Sequence, residues 1–265
     1  MKILQFPFLI CGLLVVTIFS FLPAYAQPDN SCTVTSTSSA IKSIDILNCL
    51  RSGQSVNINE AEISGNLDLT SLPVDSEGIV NVTVRVVISN SHIAGSLKAM
   101  DGDREIHTIF HGKVDFHGTR FDGNVDFSNA VFKENAEFQK TQFGALADFS
   151  LAIFEKGVSF VGAVFEDEAP FFMTTFLKDA DFSEVHFEKS ANFSQSHFIQ
   201  GFTVFFNETQ FVGNVFFIGA IFDDKVFFQN AGFQRKLPDD IVSFKAITFT
   251  FLDLSNAQFE DGQLE

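Results

Sequence analysis

Through the middle of the chain a large apolar residue returns at steps of five and six residues, in alternation. The series is Phe116, Phe121, Phe127, Phe132, Phe138, Phe143, Phe149, Phe154, Phe160, Phe165, Phe171, Phe176, Phe182, Phe187, Phe193 and Phe198. Two residues before each Phe stands a small or β-branched residue, such as Val114, Thr119, Val125, Ala130, Ala136 or Thr141. Between the two there is often an acid or amide, as at Asp115, Asp126, Glu137, Asp148, Asp181 and Asn192. On an extended segment, residues two apart share a side and the one between points away. The small residue and the Phe therefore face a core, and the polar residue faces water. Between these units lie turn-forming sequences such as Asp122-Gly123-Asn124 and Lys133-Glu134-Asn135. Neither five nor six is a helical return. Sides of two or three residues are too short for hairpins, but they can form one side of a coil that stacks on the next. A mean step of about 5.5 residues gives roughly 22 residues per four-sided coil, with coils about 4.8 Å apart.

This pattern resembles the pentapeptide-repeat family, built on tandem A(D/N)(L/F)xx. The resemblance is carried by stretches such as Val125-Asp126-Phe127-Ser128-Asn129 and Ala191-Asn192-Phe193-Ser194-Gln195. It is clearest in Leu252-Asp253-Leu254-Ser255-Asn256-Ala257-Gln258-Phe259, where Phe244, Phe249, Leu254 and Phe259 step by fives. The resemblance implies an all-β fold, a right-handed quadrilateral parallel β-helix, over most of residues 56–262. The extra residue in every second repeat departs from the family pattern and is expected to bulge one corner of each half-coil. A β-sandwich, a left-handed hexapeptide β-helix and a three-sided β-helix are the competing architectures. None of them keeps an alternating five-six beat.

Residues 1–26 read as a secretory signal peptide. Lys2 precedes an apolar run from Phe6 to Leu22, and Ala24-Tyr25-Ala26 forms a small-x-small cleavage site. An uncleaved membrane anchor is the alternative. Residues 27–54 read as an N-terminal cap, since an open solenoid end exposes a raw apolar layer. A helix is predicted from about Ser39 to Arg51, with Ile41, Ile44, Leu47 and Leu50 on one face, Ser38 or Ser39 capping it and Gly53 ending it. Export favours a disulfide between Cys32 and Cys49, with two unpaired buried thiols as the alternative. Such a bridge would stabilise by about 3 kcal/mol in the chain-entropy model.

Residues 55–109 read as the first coils in aliphatic form, with Ile58, Ile63, Leu69 and then Ile88, Ile93, Ala99 keeping the step. Residues 70–85 interrupt them as a loop or added strand pair, and residues 100–107 read as a polar loop. The Phe-rich helix covers 110–233, and 234–265 form a loop and a C-terminal pentapeptide coil. The beat also breaks between Phe198 and Phe206, and between Phe233 and Phe244. Loops that leave a solenoid at a corner are frequent binding sites.

Composition narrows the chemistry. The net charge is −16, which disfavours direct nucleic-acid binding. There is no Trp, and Tyr25, the single tyrosine, lies in the leader. The chain has no phosphate-cradling glycine loop, no Cys-x-x-Cys and no nucleophile elbow. No catalytic residue, cofactor or metal site is predicted. His107, His111 and His117 cluster near Asp101, Asp103 and Glu105, but at no known zinc or calcium spacing. The acids fall on outward positions as a solvated face, where Asp126 and Asp148 would lie one above the other. One local change stands out: the outward position becomes Phe205, Phe216 and Phe227 late in the chain. Exposed aromatics suggest a contact surface, with Phe205 and Phe227 on one face and Phe216 opposite.

The expectation is an exported, non-catalytic scaffold that binds an unidentified protein of the cell envelope, in the periplasm or an equivalent lumen. It would also self-associate through its C-terminal coils. The family resemblance implies an alternative: an acidic DNA mimic that binds type II topoisomerases. A polysaccharide-active enzyme is the third reading, and the lack of Trp and Tyr platforms argues against it.

Overall fold

The computed structural model describes residues 31–32, 40–199, 201–234 and 236–260. The signal-peptide reading of 1–26 and the capping role of Ser38 and Ser39 lie outside these residues. The described chain is a parallel β-solenoid with one α-helix, Ser43–Arg51. Short strands repeat in four columns, each named here by its first inward Phe. The Phe110, Phe116, Phe121 and Phe127 faces follow one another around the coil. In-register parallel pairs join each strand to its equivalent one coil on, as Phe132 to Phe154 on the Phe110 face. The Phe121 face runs through ten strands, from Ile41–Lys42 to Gln258–Phe259.

The core is a stack of phenylalanines. All sixteen of the alternating series are buried, with Phe121, Phe127, Phe138 and Phe149 fully so. Along each face the rings stack nearly parallel: Phe143 and Phe165 have centroids 4.6 Å apart at 15°, and Phe176 and Phe198 4.5 Å apart at 4°. Across the coil they meet edge to face, as Phe138 with Phe149 at 80°. Both arrangements satisfy the ring quadrupole. The inward small residues complete the fill, and where one is Thr its hydroxyl donates to a backbone carbonyl. Thr141 Oγ1 lies 2.8 Å from the Phe116 carbonyl and Thr174 Oγ1 2.8 Å from that of Phe149.

The two kinds of corner differ from each other. The six-residue steps through the Phe series carry no left-handed residue. The five-residue steps do, at one position each: Gly118, Asn129, Lys140, Leu151, Gly162, Met173, Glu184 and Gln195 all have φ between +55° and +66°. In each a backbone amide closes the turn, as Thr119 N to the Phe116 carbonyl at 3.0 Å. The shorter step reverses direction tightly and needs the αL residue; the longer step has a spare residue and does not.

Three expectations are corrected. The helix begins at Ser43, because Ile41–Lys42 is a strand that pairs with Ile63 and Ser64. Residues 100–107 are not a plain loop: Met100–Asp101 pairs antiparallel with Ile106–Phe110. Residues 70–85 include a 3-10 turn at Leu69–Ser71 and the strand Ile79–Val82, which supplies the first rung of the Phe110 face. Beneath the helix, Ile46 and Leu50 close over Leu67, Leu97 and Phe116, leaving only about 10 Å³ of free space. Cys32 and Cys49 sit within disulfide distance, with Cα atoms 5.9 Å apart. Among the described residues no helix is long and apolar enough to cross a membrane.

Candidate interaction surface

Since the interior is filled by rings, any chemistry must sit on the outward residues. The acids there do more than face water. Asp126 Oδ1 accepts from the backbone amide of Ser128 at 3.0 Å, Asp148 from Ser150 at 2.8 Å and Asp181 from Ser183 at 2.9 Å. Each carboxylate thereby fixes the start of the following turn. Asp126 is paired in register with Asp148. Burial, with a smaller contribution from the Asp148 charge, pushes its carboxyl above the ordinary range, while the Ser128 hydrogen bonds oppose this.

The histidine and acid cluster near residue 107 does not converge. His111 Nε2 contacts Asn81 Oδ1 at 2.9 Å. Asp101 is engaged by Arg104 Nε at 2.7 Å and Lys98 Nζ at 3.2 Å, and the Arg104 hydrogen bond holds its carboxyl down at about 2. Among the described residues no three His, Cys, Asp or Glu side chains form a metal-holding group.

An ionic ladder missed in the sequence crosses the Phe121 face. His92 Nδ1 meets Glu62 at 2.6 Å and Nε2 meets Asp122 at 2.7 Å, so one imidazole bridges the coils before and after its own. Asp122 also accepts from Arg120 Nε at 2.9 Å, and Arg120 reaches Glu166 at 2.7 Å. The Asp122 and Glu62 hydrogen bonds raise the His92 pKa above its ordinary value, and His92 lowers that of Asp122. The signal was present as residues 30 apart, but the irregular first coils hid their alignment.

Phe205 and Phe227 point outward on the Phe116 face and stack with centroids 5.6 Å apart at 18°. Phe251, 46% exposed, packs diagonally against Phe227 at 5.6 Å from the next coil, where Asp253 is the in-register partner of Phe227. Phe216 lies on the Phe127 face, paired in register with Asn192 and Ser243. The three predicted aromatics are thus divided between two opposite faces, two together and one apart. In the terminal coil Phe249, Leu254 and Phe259 are substantially exposed. Next to Phe205, the inserted corner places Phe202 under the Lys178 ammonium, 4.0 Å from the ring centroid.

Residues 236–240 form a second feature. Asp240, buried, accepts from the amides of Lys236 at 2.8 Å and Leu237 at 2.6 Å, which folds this segment into a tight loop. The loop and the Lys189 corner border an open groove of about 300 Å³.

A parallel solenoid with a ring-filled core and variable outward residues defines a repeat scaffold. The family model for pentapeptide repeats, nine copies long, matches residues 106–153 and 149–197. Residues 106–197 thus carry the tandem repeats of the pentapeptide-repeat family. No curated protein and no solved structure matches it.

Proposed function

We propose that this chain is an exported, non-catalytic scaffold that binds another protein of the cell envelope and associates with itself through its C-terminal coils. The observation that carries this reading is the outward stacked pair Phe205–Phe227 with Phe251 against it, together with the exposed Phe249, Leu254 and Phe259 of the last described coil. Stacked, partly exposed rings are enriched where proteins meet. The leader supports export, since its charged start, apolar run and Ala-x-Ala end match a secretory signal. The paired cysteines suit an oxidising compartment.

A second reading, an acidic mimic of DNA that engages a topoisomerase, is favoured by the carboxylates at Asp115, Glu137 and Asp181 on one face and Asp126 and Asp148 on the opposite one. Cell fractionation with determination of the N-terminus separates the two. A mature form beginning at Gln27 in the exported fraction supports the envelope scaffold, whereas an intact Met1 in the soluble cytosol supports the topoisomerase reading. In the exported form, Phe205→Ser with Phe227→Ser should leave the circular dichroism spectrum intact and weaken recovery of partner proteins in a pull-down. An unchanged pull-down would rule out the aromatic column as the contact.

A further inference from the structure

The faces differ in what they show to water. On the Phe110 face the outward column is aliphatic at Ile109, Val131 and Ile153. On the Phe116 face it is acidic at Asp115 and Glu137 and ends, in register from coil to coil, in Asp181, Phe205, Phe227 and Asp253. That last run sets two rings between two carboxylates. Asp115 and Glu137 are served by Lys113, at 2.9 Å and 4.0 Å. Among the described residues neither Asp181 nor Asp253 has a basic partner. Asp181 accepts from the Ser183 amide at 2.9 Å, and Asp253 from the Ser255 amide at 2.8 Å and Gln229 Nε2 at 2.6 Å. These neutral donors leave both charges uncompensated.

The two rings stack along the column, 5.6 Å apart at 18°, so the outer face of Phe205 looks toward Asp181 one coil earlier. At the other end Phe251 lies diagonally against Phe227 and widens the apolar centre. A ring face beside a carboxylate attracts a cation twice, through the ring quadrupole and through the acid. The adjoining corner already displays this chemistry, since the Lys178 ammonium lies 4.0 Å from the centre of the Phe202 ring. Lys178 and Lys225 stand at this corner, but Asp179, Asp223 and Asp224 outnumber them there.

We propose that the column Asp181–Phe205–Phe227–Asp253 binds an extended segment of another protein that carries two arginines four residues apart with an apolar residue midway, Arg-x-Leu-x-Arg in its simplest form. This rests on the reading of the chain as a protein-binding scaffold and names the chemistry of its partner. Length sets the spacing. Three rungs of about 4.8 Å put the carboxylates about 14 Å apart, and four residues of an extended strand also rise about 14 Å. Residues i, i+2 and i+4 of that strand share one side, so the apolar residue falls on the edges of the two rings. Arg suits the ends better than Lys, because its planar guanidinium stacks on a ring and donates two parallel hydrogen bonds to a carboxylate. Two other occupants fit less well. A second copy of the chain does not supply the segment, since no two of its Lys or Arg residues stand four apart. An anionic lipid surface is repelled by a chain of net charge −16.

The test uses the full chain and synthetic peptides. Fluorescence anisotropy of the labelled peptide Gly-Arg-Ser-Leu-Ser-Arg-Gly should show saturable binding to the native chain with a Kd below about 1 mM. The same peptide with citrulline for arginine, equal in shape but neutral, should bind at least about tenfold more weakly. A peptide with its arginines two apart should lose at least about fivefold. Asp181→Asn with Asp253→Asn should cost at least about fivefold, and Phe205→Ser with Phe227→Ser at least about tenfold. Both variants suit the fold, since Asn192 holds the Ser194 amide as Asp181 holds that of Ser183, and Ser159 already occupies the same column. Unchanged thermal melting checks this, and the peptide comparisons need no variant. No saturable binding at about 1 mM, equal binding of the citrulline peptide, or equal binding by a folded Asn variant would overturn the proposal. A pull-down that depends on Phe205 and Phe227 without arginine-peptide binding would overturn this chemistry and leave the scaffold reading in place. Column-dependent binding of the arginine peptide with an unchanged pull-down would support this chemistry and count against that reading.

Discussion

Phe149 sits at the centre of the ring stack, and replacing it tests how much of the fold rests on ring contacts rather than bulk. It is fully buried and meets six other rings. Two of these, Phe127 at 5.5 Å and Phe171 at 5.0 Å, are stacked above and below. Phe149→Ala removes burial and leaves a cavity that rigid coils cannot collapse, a loss of about 3–5 kcal/mol. Phe149→Leu keeps most of the volume but loses both stacked pairs, a loss of about 1–3 kcal/mol at 0.5–1.5 kcal/mol per pair. Urea unfolding followed by far-ultraviolet circular dichroism measures both, since no Trp is available as a fluorescent probe. The loss should be local, because each coil touches only its neighbours. Hydrogen exchange should therefore show amides near residues 138–160 losing protection before those beside the Ser43–Arg51 helix. A Leu variant as stable as the native chain would refute the role of stacking. An Ala variant within about 1 kcal/mol of the native chain would refute the packing argument altogether.

Other perturbations read other parts of the structure. Asp126→Asn keeps an oxygen for the Ser128 amide, as Asn192 does for Ser194 at 2.9 Å, while removing a charge that burial disfavours. The folded-state pKa of Asp126 lies above its unfolded value, so its ionisation destabilises the fold as pH rises through that interval. The variant should raise the melting temperature at pH 7 and leave it unchanged below both pKa values. His92 has the same sign for a different reason: its pKa is raised in the fold by its carboxylate partners, so its ion pairs stabilise below the unfolded value and fade as pH rises through the folded one. His92→Gln should remove that slope between mildly acidic and alkaline pH, by no more than about 1 kcal/mol for a partly exposed pair. Thr141→Val should cost about 1 kcal/mol in urea unfolding by deleting its hydrogen bond to the Phe116 carbonyl.

The architecture was legible because one residue type repeats without interruption from Phe116 to Phe198, and a beat of that length admits few folds. The first coils were harder. There Leu69 and Val82 occupy consecutive faces thirteen positions apart, and Ala99 and Phe110 eleven, so inserted segments mask the step. Phe205 and Phe227 could be singled out because an aromatic replaced an acid at a recognisable position. The aliphatic column of the Phe110 face could not. Val131-Phe132 and Ile153-Phe154 read as buried pairs, and only the 22-residue alignment shows that one member of each faces outward. The His92 ladder depends on contacts between side chains of separate coils, which periodicity alone does not specify.

The left-handed corner recurs every eleven residues, while a face recurs every twenty-two. This mismatch constrains how such a gene can change length. Duplicating or deleting twenty-two codons lengthens or shortens the rod by one coil and leaves every surface in place. Duplicating eleven preserves the stacked core equally well, but turns all later coils by half a revolution. The aliphatic column would then be split between two sides of the rod, and Phe205 and Phe227 would emerge opposite their present position. Selection on the interior could not detect the event; selection on the surfaces would. The exterior of this rod, rather than its core, is thus what ties its evolution to whole coils.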